Sequence, residues 1–156
     1  MIYKTRLIKT PIGEMIAMTN GEVLTSLHFT YDAYIVHNSR HSLLLRLEDE
    51  LHEYFDGKRQ IFTLPLASEG TIFQQKVWET LRTIPYGQTI SYAQEALQFG
   101  NPKAVRAVAN ANGKNPIAIL NPCHRVIATG GGLGGYSGGL WRKEFLLELE
   151  KDNSQL

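Results

Sequence analysis

The single cysteine of this 156-residue chain, Cys123, lies in Asn121-Pro122-Cys123-His124-Arg125-Val126, directly after the apolar run Ile117 to Leu120. A thiol followed by an imidazole and a guanidinium is equipped for nucleophilic chemistry, because nearby positive charge or hydrogen bonding favours the thiolate. An isolated cysteine is more often a small buried hydrophobe. Here Pro122 fixes the backbone ahead of the thiol, and the polar pair behind it is a poor continuation of an apolar core strand. Adjacent side chains do not readily face each other in a helix or a strand, so the route from Cys123 to His124 calls for a bridging water. A carboxylate would then hold the imidazole in its accepting tautomer, and Glu144, Glu148 and Glu150 near the C-terminus are the available donors. Spacing alone does not choose among them.

Composition narrows the setting. Hydrophobic residues at 43% and charged residues at 20% are ordinary for a globular chain able to bury a core, as one large domain or two small ones. One cysteine excludes an internal disulfide and a cysteine-based zinc cluster, which fits a reducing compartment. His28, His37, His41 and His52 have no metal-ligand spacing and read as surface or core histidines; no metal and no cofactor is expected. The start, Met1 to Arg6, is too polar for a signal peptide, and no apolar run approaches the roughly 20 residues that span a bilayer, so the expected location is cytoplasmic, or nuclear in a eukaryote. Charge is divided unevenly: Lys76 to Lys143 holds eight basic and two acidic residues, a balance of +6, against −2 for the first 75 residues. That asymmetry points to an anionic partner, nucleic acid foremost, although a solvated basic face would look the same.

The elements that must position Cys123 can be read in order. Ile2 to Ile8, Glu14 to Thr19 and Val23 to Phe29 are strand-like, with Asn20-Gly21 as a tight hairpin turn. Leu43, Leu44, Leu47, Leu51, Tyr54 and Phe55 recur at helical spacing, with Gly57 as the stop. Leu64 to Gly70 is the domain boundary, dividing the chain into 1–68 and 69–156. Thr71 and Gln74 have capping-box spacing before a helix marked by Phe73, Val77 and Leu81, which must end near Pro85. Tyr86-Gly87-Gln88 turns the chain, and Ser91 and Gln94 open a second short helix closed by Phe99-Gly100. Asn101-Pro102 then reads as N-cap and first turn of a helix from Lys103 to Asn112, carrying Lys103 and Arg106 near its start. Two short helices around a glycine turn outline a helix-turn-helix. Seven of the 14 glycines fall between Gly130 and Gly139, where close approach of a ligand to the backbone would need them, and a helix as apolar as Leu140 to Leu149 follows. Trp78 and Trp141 read as packing residues.

From Phe73 to Glu150 the chain resembles the O6-alkylguanine-DNA alkyltransferases, whose active-site signature is Pro122-Cys123-His124-Arg125-Val126. Ile84-Pro85-Tyr86-Gly87, Ser91-Tyr92, Asn101-Pro102-Lys103-Ala104-Val105-Arg106-Ala107-Val108, Asn115-Pro116 and Tyr136-Ser137-Gly138-Gly139-Leu140 follow the family's order and spacing. The resemblance implies an α+β protein: a small N-terminal sheet domain, ribonuclease-H-like, and a mostly helical C-terminal domain with a helix-turn-helix. It implies a monomer acting on double-stranded DNA that contains O6-alkylguanine, with O4-alkylthymine as a further substrate. Cys123 would take the alkyl group irreversibly, His124 would act through water as its base, and Glu150 would orient His124. Asn115 would brace the active-site turn, Arg106 would enter the base stack where guanine leaves, and Tyr92 would press on the target phosphate and reach the base. Lys103 and Arg125 would meet DNA, while backbone groups around Cys123 and Val126, with Tyr136 and Ser137, would line the guanine pocket.

Two departures from the wider family stand out. The cysteine and histidine zinc site of some relatives cannot form, and Ala118 stands where some members have a second proline. Two other classes of function remain to be weighed: a lesion-binding helix-turn-helix module without transfer, as in relatives with tryptophan at the cysteine position, and a cysteine hydrolase, for which no second histidine motif or oxyanion loop is evident.

Overall fold

The N-terminal segment forms an antiparallel sheet of three strands, β1 (Lys4–Thr10), β2 (Gly13–Thr19) and β3 (Leu24–Phe29), in that spatial order. The structure, a computed structural model, describes residues 2–30 and 37–154. In β2 the buried positions Met15, Ala17 and Thr19 share one face, as the two-residue period of a strand requires. The β2–β3 connection is wider than the tight Asn20-Gly21 turn expected from sequence. The Asn20 side chain accepts from the amides of Glu22 (2.9 Å) and Val23 (3.1 Å), and Thr19 Oγ1 accepts from Gly21 and donates to the Val23 carbonyl, so four residues close the loop. Local side-chain bonds of this kind compete with ladder pairing, and the register shifts between Met18 and Thr19.

Helix α1 (Ser42–Phe55) buries Leu43, Leu44, Leu47, Leu51 and Tyr54, the stripe the sequence spacing predicts. His41 caps it, its Nδ1 accepting from the Leu43 amide at 3.1 Å. The stretch beginning at Leu64 does more than connect. Leu66 forms a parallel bridge with Leu24, whose amide donates to the Pro65 carbonyl and whose carbonyl accepts from Ala67, both at 3.0 Å. These residues belong to the first of two compact units, Met1–Glu69 and Gly70–Leu156.

The second unit opens with α2 (Ile72–Leu81), where Thr71 and Gln74 form a complete capping box; Ser91 and Gln94 form another ahead of α3 (Tyr92–Phe99). Each box satisfies two helix-end donors that would otherwise lack partners. Gly100, at φ +107°, ends α3 in the left-handed conformation that glycine alone adopts cheaply. The next helix starts later than the sequence suggests. Asn101 Oδ1 accepts from the Lys103 amide (3.1 Å) and the Asn101 carbonyl from Ala104 (3.0 Å), a self-contained turn that holds Lys103 outside the helix; α4 runs Val105–Gly113. Trp78 of α2 reaches α4, donating from Nε1 to the Ala111 carbonyl at 2.9 Å. Val77, Leu81, Ile84, Ala96, Phe99, Val108 and Val126 complete this core, each fully buried valine, leucine or isoleucine contributing about 1.5–3 kcal/mol. Two short parallel strands, β4 (Ile90–Ser91) and β5 (Val126–Ile127), join the segment ahead of α3 to the segment after Cys123.

The last helix, α5 (Leu140–Asn153), inverts the expected pattern. Its buried face is Arg142, Lys143, Leu146 and Glu150, whereas Leu140, Trp141 and Phe145 are exposed. Trp141 therefore does not pack in the core; its ring lies against the Arg142 guanidinium at 4.6 Å. Among the described residues no helix is long and apolar enough to cross a membrane.

Candidate active site

The apolar run before Cys123 is buried but forms no strand. Asn115 organises it from one amide group. Its Nδ2 donates to the Asn121 carbonyl (2.8 Å) and toward Cys123 Sγ (3.4 Å), while its Oδ1 accepts from the Ile117 amide (3.0 Å) and Asn121 Nδ2 (3.2 Å). Within this brace the backbone makes two three-residue turns. Leu120 donates to the Ala118 carbonyl around Ile119 at φ +70°, and Cys123 donates to the Asn121 carbonyl around Pro122. Ile119 is the one non-glycine residue with positive φ among the described residues, a conformation that costs energy and persists where the surroundings enforce it. The turns deliver Cys123 to the start of a single 3-10 turn, Cys123–Arg125.

That turn separates three neighbouring side chains. His124 is fully buried; its Nε2 donates to Glu150 Oε2 at 2.7 Å, and its buried Nδ1 has no protein partner among the described residues. Burial lowers the affinity of the ring for a second proton, outweighing the nearby Glu150 carboxylate. Arg125 is also turned inward. Its Nε and Nη2 donate to the two oxygens of Glu150 (2.7 and 3.0 Å) and its Nη1 to the Ile84 carbonyl (2.7 Å). Arg125, expected to meet DNA, here has its charge committed to a buried carboxylate. Burial pushes the Glu150 carboxyl up, but the His124 ring and Arg125 guanidinium together hold it well below the usual range. The Gly87 amide also donates to Glu150 Oε1 at 3.3 Å, at φ +79° where a Cβ would collide with Ser154.

Cys123 Sγ therefore lacks the free guanidinium that its sequence neighbours suggest. Burial pushes its thiol up, opposed by the Asn115 hydrogen bond and the charge of Lys143, so the resting sulfur is a protonated thiol. Lys143 was not singled out from sequence. Fully buried, its Nζ donates to the Val126 carbonyl (2.6 Å) and the Gly135 carbonyl (3.0 Å) and lies 5.9 Å from the Tyr92 ring centroid. It thus engages the backbone at Val126, part of the segment expected to line the guanine pocket.

A cavity of about 400 Å3 opens beside the sulfur, lined by Tyr92 from α3, by Ala109, Asn112 and Gly113 from α4, and by Cys123, Gly135, Tyr136 and Ser137. Tyr92, Cys123, Tyr136 and Ser137, separated by up to 45 positions in sequence, thus converge. The glycine loop permits this. A Cβ on Gly134, at φ +75°, would stand 2.6 Å from Tyr92 Oη, which accepts from the Gly135 amide at 3.3 Å. Burial pushes the Tyr92 and Tyr136 hydroxyls up, so both keep their protons, and the Tyr136 hydroxyl has no protein partner among the described residues. Arg106, in the first turn of α4, and Lys103, in the turn before it, are exposed and do not line the cavity. Glu95, a further residue missed by pattern reading, is fully buried on α3 and accepts from Asn112 Nδ2 at 2.7 Å. Among the described residues no His, Cys, Asp and Glu group could hold a metal.

A helix-turn-helix beside a cavity lined by Cys123, backed by a buried histidine–carboxylate–arginine cluster, defines an α+β protein with a thiol-lined cavity at a nucleic-acid-binding motif. Residues 72–152 match the family model described as "6-O-methylguanine DNA methyltransferase, DNA binding domain", and residues 2–68 match that of its "ribonuclease-like domain". The chain belongs to this family. It is 47% identical to the methylated-DNA–protein-cysteine methyltransferase of Mycobacterium tuberculosis over 153 residues, 96% of this chain and 93% of the relative. It is 43% identical to the constitutive enzyme of that name from Bacillus subtilis, over 92% of each chain. The crystal structure of the M. tuberculosis OGT protein in complex with DNA is similar at a TM-score of 0.87 and 45% identity, covering 96% of this chain and 94% of that one.

Proposed function

We propose that the protein repairs double-stranded DNA by moving the alkyl group of O6-alkylguanine to Sγ of Cys123. The observation that carries this reading is the convergence of Cys123, Tyr92, Tyr136 and Ser137 on one cavity beside a helix-turn-helix, with His124–Glu150 buried behind the thiol. An alkyl group on O6 is out of reach inside a duplex, so the base leaves the stack at a cost of a few kcal/mol. Exposed Arg106 fills the gap it leaves, and Lys103 contacts phosphate. The sulfur attacks the alkyl carbon: the S–C bond forms as the C–O6 bond breaks. Because the resting thiol is protonated, its proton must leave during attack, toward Nδ1 of His124 through water. Glu150, holding Nε2–H, keeps Nδ1 as the acceptor, and Arg125 keeps Glu150 ionised. The departing guanine takes the proton of the Tyr92 hydroxyl, which burial keeps protonated at rest. The product is a thioether, which no neighbouring group hydrolyses, so each molecule reacts once. O4-alkylthymine presents the same alkyl–oxygen bond and is a secondary substrate.

The reaction needs no cofactor or metal. The protein acts as a monomer, and a free catalytic thiol supports a cytoplasmic location, nuclear in a eukaryote. We assign the chemistry to residues 69–156 and a supporting role to 1–68. Intact-mass analysis after incubation with an O6-methylguanine duplex tests the transfer. One methyl should be added, mapping to Cys123 and absent in Cys123→Ser. An unmodified thiol with tight lesion binding would establish the lesion-recognition alternative instead.

A further inference from the structure

Glu95 is an anomaly in its place. It lies on the face of α3 that buries Ala96 and Phe99, it is 0% exposed, and only one of its oxygens is partnered, by Asn112 Nδ2 at 2.7 Å. Its Oε2 and the Asn112 Oδ1 are both buried without partners among the described residues. A leucine of similar volume would bury there without that desolvation cost, so beyond its bond to Asn112 the fold gains nothing from the carboxyl. Asn112, in contrast, lines the cavity with Cys123. The titratable groups around Glu95 come from each side: Tyr92 on α3 itself, Cys123 on the 3-10 turn and Lys143 on α5, whereas α2 turns Val77, Trp78 and Leu81 into the same core.

We propose that Glu95 is a positioning residue for the chemistry of Cys123: it anchors Asn112 in the cavity wall and sets a switchable negative charge against Lys143, Tyr92 and Cys123. The hydrogen bond fixes the Asn112 amide, since a carboxylate accepts only from its NH2 end. The charge acts on the thiol. Ionised Glu95 offsets Lys143 and disfavours the thiolate; neutral Glu95 leaves Lys143 to favour it. Burial pushes the carboxyl up to about 7, so the change falls within the working range of pH.

The proposal rests on the alkyl-transfer reading for its substrate but can be tested apart from it. Two rates are measured from pH 5.5 to 8.5 for the wild type, Glu95→Gln, Glu95→Leu, Asn112→Ala and the Glu95→Leu/Asn112→Ala double variant: carbamidomethylation of Cys123 by iodoacetamide, and single-turnover methyl transfer from an O6-methylguanine duplex. Glu95→Gln keeps an acceptor for Asn112 and loses the charge. Its thiol should react several-fold faster than wild type at pH 8, and an inflection near pH 7 present in the wild type should vanish. Half-saturation by duplex should be unchanged in Glu95→Gln and raised several-fold in Glu95→Leu, with the double variant no worse than Asn112→Ala alone. Superimposable iodoacetamide profiles for wild type and Glu95→Gln would overturn the proposal, as would additive effects in the double variant. Loss of the inflection in a protein that takes no methyl from the duplex would instead overturn the alkyl-transfer reading and support the role of Glu95.

Discussion

At the residue scale, identity and orientation part company. The sequence places His124 and Arg125 beside the thiol, and the 3-10 turn sends both inward to Glu150. The chemistry legible in the sequence was thus the set of residue types; which of them face the sulfur depends on a single turn whose φ/ψ values no spacing rule encodes. Glu95 and Lys143 left a fainter signal, charged residues within stripes that also hold Ala96, Phe99 and Leu146. The Glu150 cluster carries a stability prediction. In Glu150→Gln the Arg125 charge stays buried without a counter-charge, so unfolding free energy in urea should fall by about 3–5 kcal/mol, and methyl transfer by about a hundredfold as His124 loses its orienting partner. Glu95 predicts the opposite sign. Its folded-state pKa of about 7 exceeds the ordinary carboxyl value, so between about 4.5 and 7 the folded protein holds more protons than the unfolded chain and this group costs stability as pH rises. Glu95→Leu should accordingly gain stability relative to wild type across that window, read from denaturant midpoints at pH 5 and pH 7. Parallel curves would show that the carboxyl is not desolvated.

At the element scale, helices with strong end signals were readable to within a residue or two. Thr71/Gln74, Ser91/Gln94 and Gly100 each mark a boundary through a hydrogen bond or a φ value that the residue type itself requires. The start of α4 was not, because Asn101 satisfies its own turn as readily as it could cap a helix, and α5 defeated periodicity by burying charge. The glycine loop yields a local test. Alanine at Gly134 would be strained at φ +75° and would drive its Cβ into Tyr92 Oη. Gly134→Ala should slow methyl transfer at least tenfold while leaving the melting temperature within a few degrees, because the loop is peripheral to the helical core. An equal loss at Gly131→Ala, where a Cβ meets open space, would mean that loop stiffness rather than the position of Tyr92 is at issue.

At the scale of the whole molecule, burial revises the charge argument. Of the eight basic residues between Lys76 and Lys143, Arg125, Arg142 and Lys143 are buried, and so is Glu95 of the two acidic ones. The exposed balance over this span falls from +6 to +4 and is carried by Lys76, Arg82, Lys103, Arg106 and Lys114 against Glu79. Duplex affinity should therefore fall steeply between about 50 and 200 mM salt, and Lys103→Ala should reduce the slope of log K against log salt by about one, the signature of one lost phosphate contact. An unchanged slope would remove Lys103 from the DNA face.

The inverted surface of α5 also gives the protein a built-in optical reporter. Its two tryptophans sit in opposite environments, Trp78 at 3% exposure and Trp141 at 55%, and Trp141 directly follows the glycine loop that lines the cavity. Acrylamide should quench the two emissions very unequally. Shielding of the accessible component by an added duplex would time the arrival of DNA at the loop without any label.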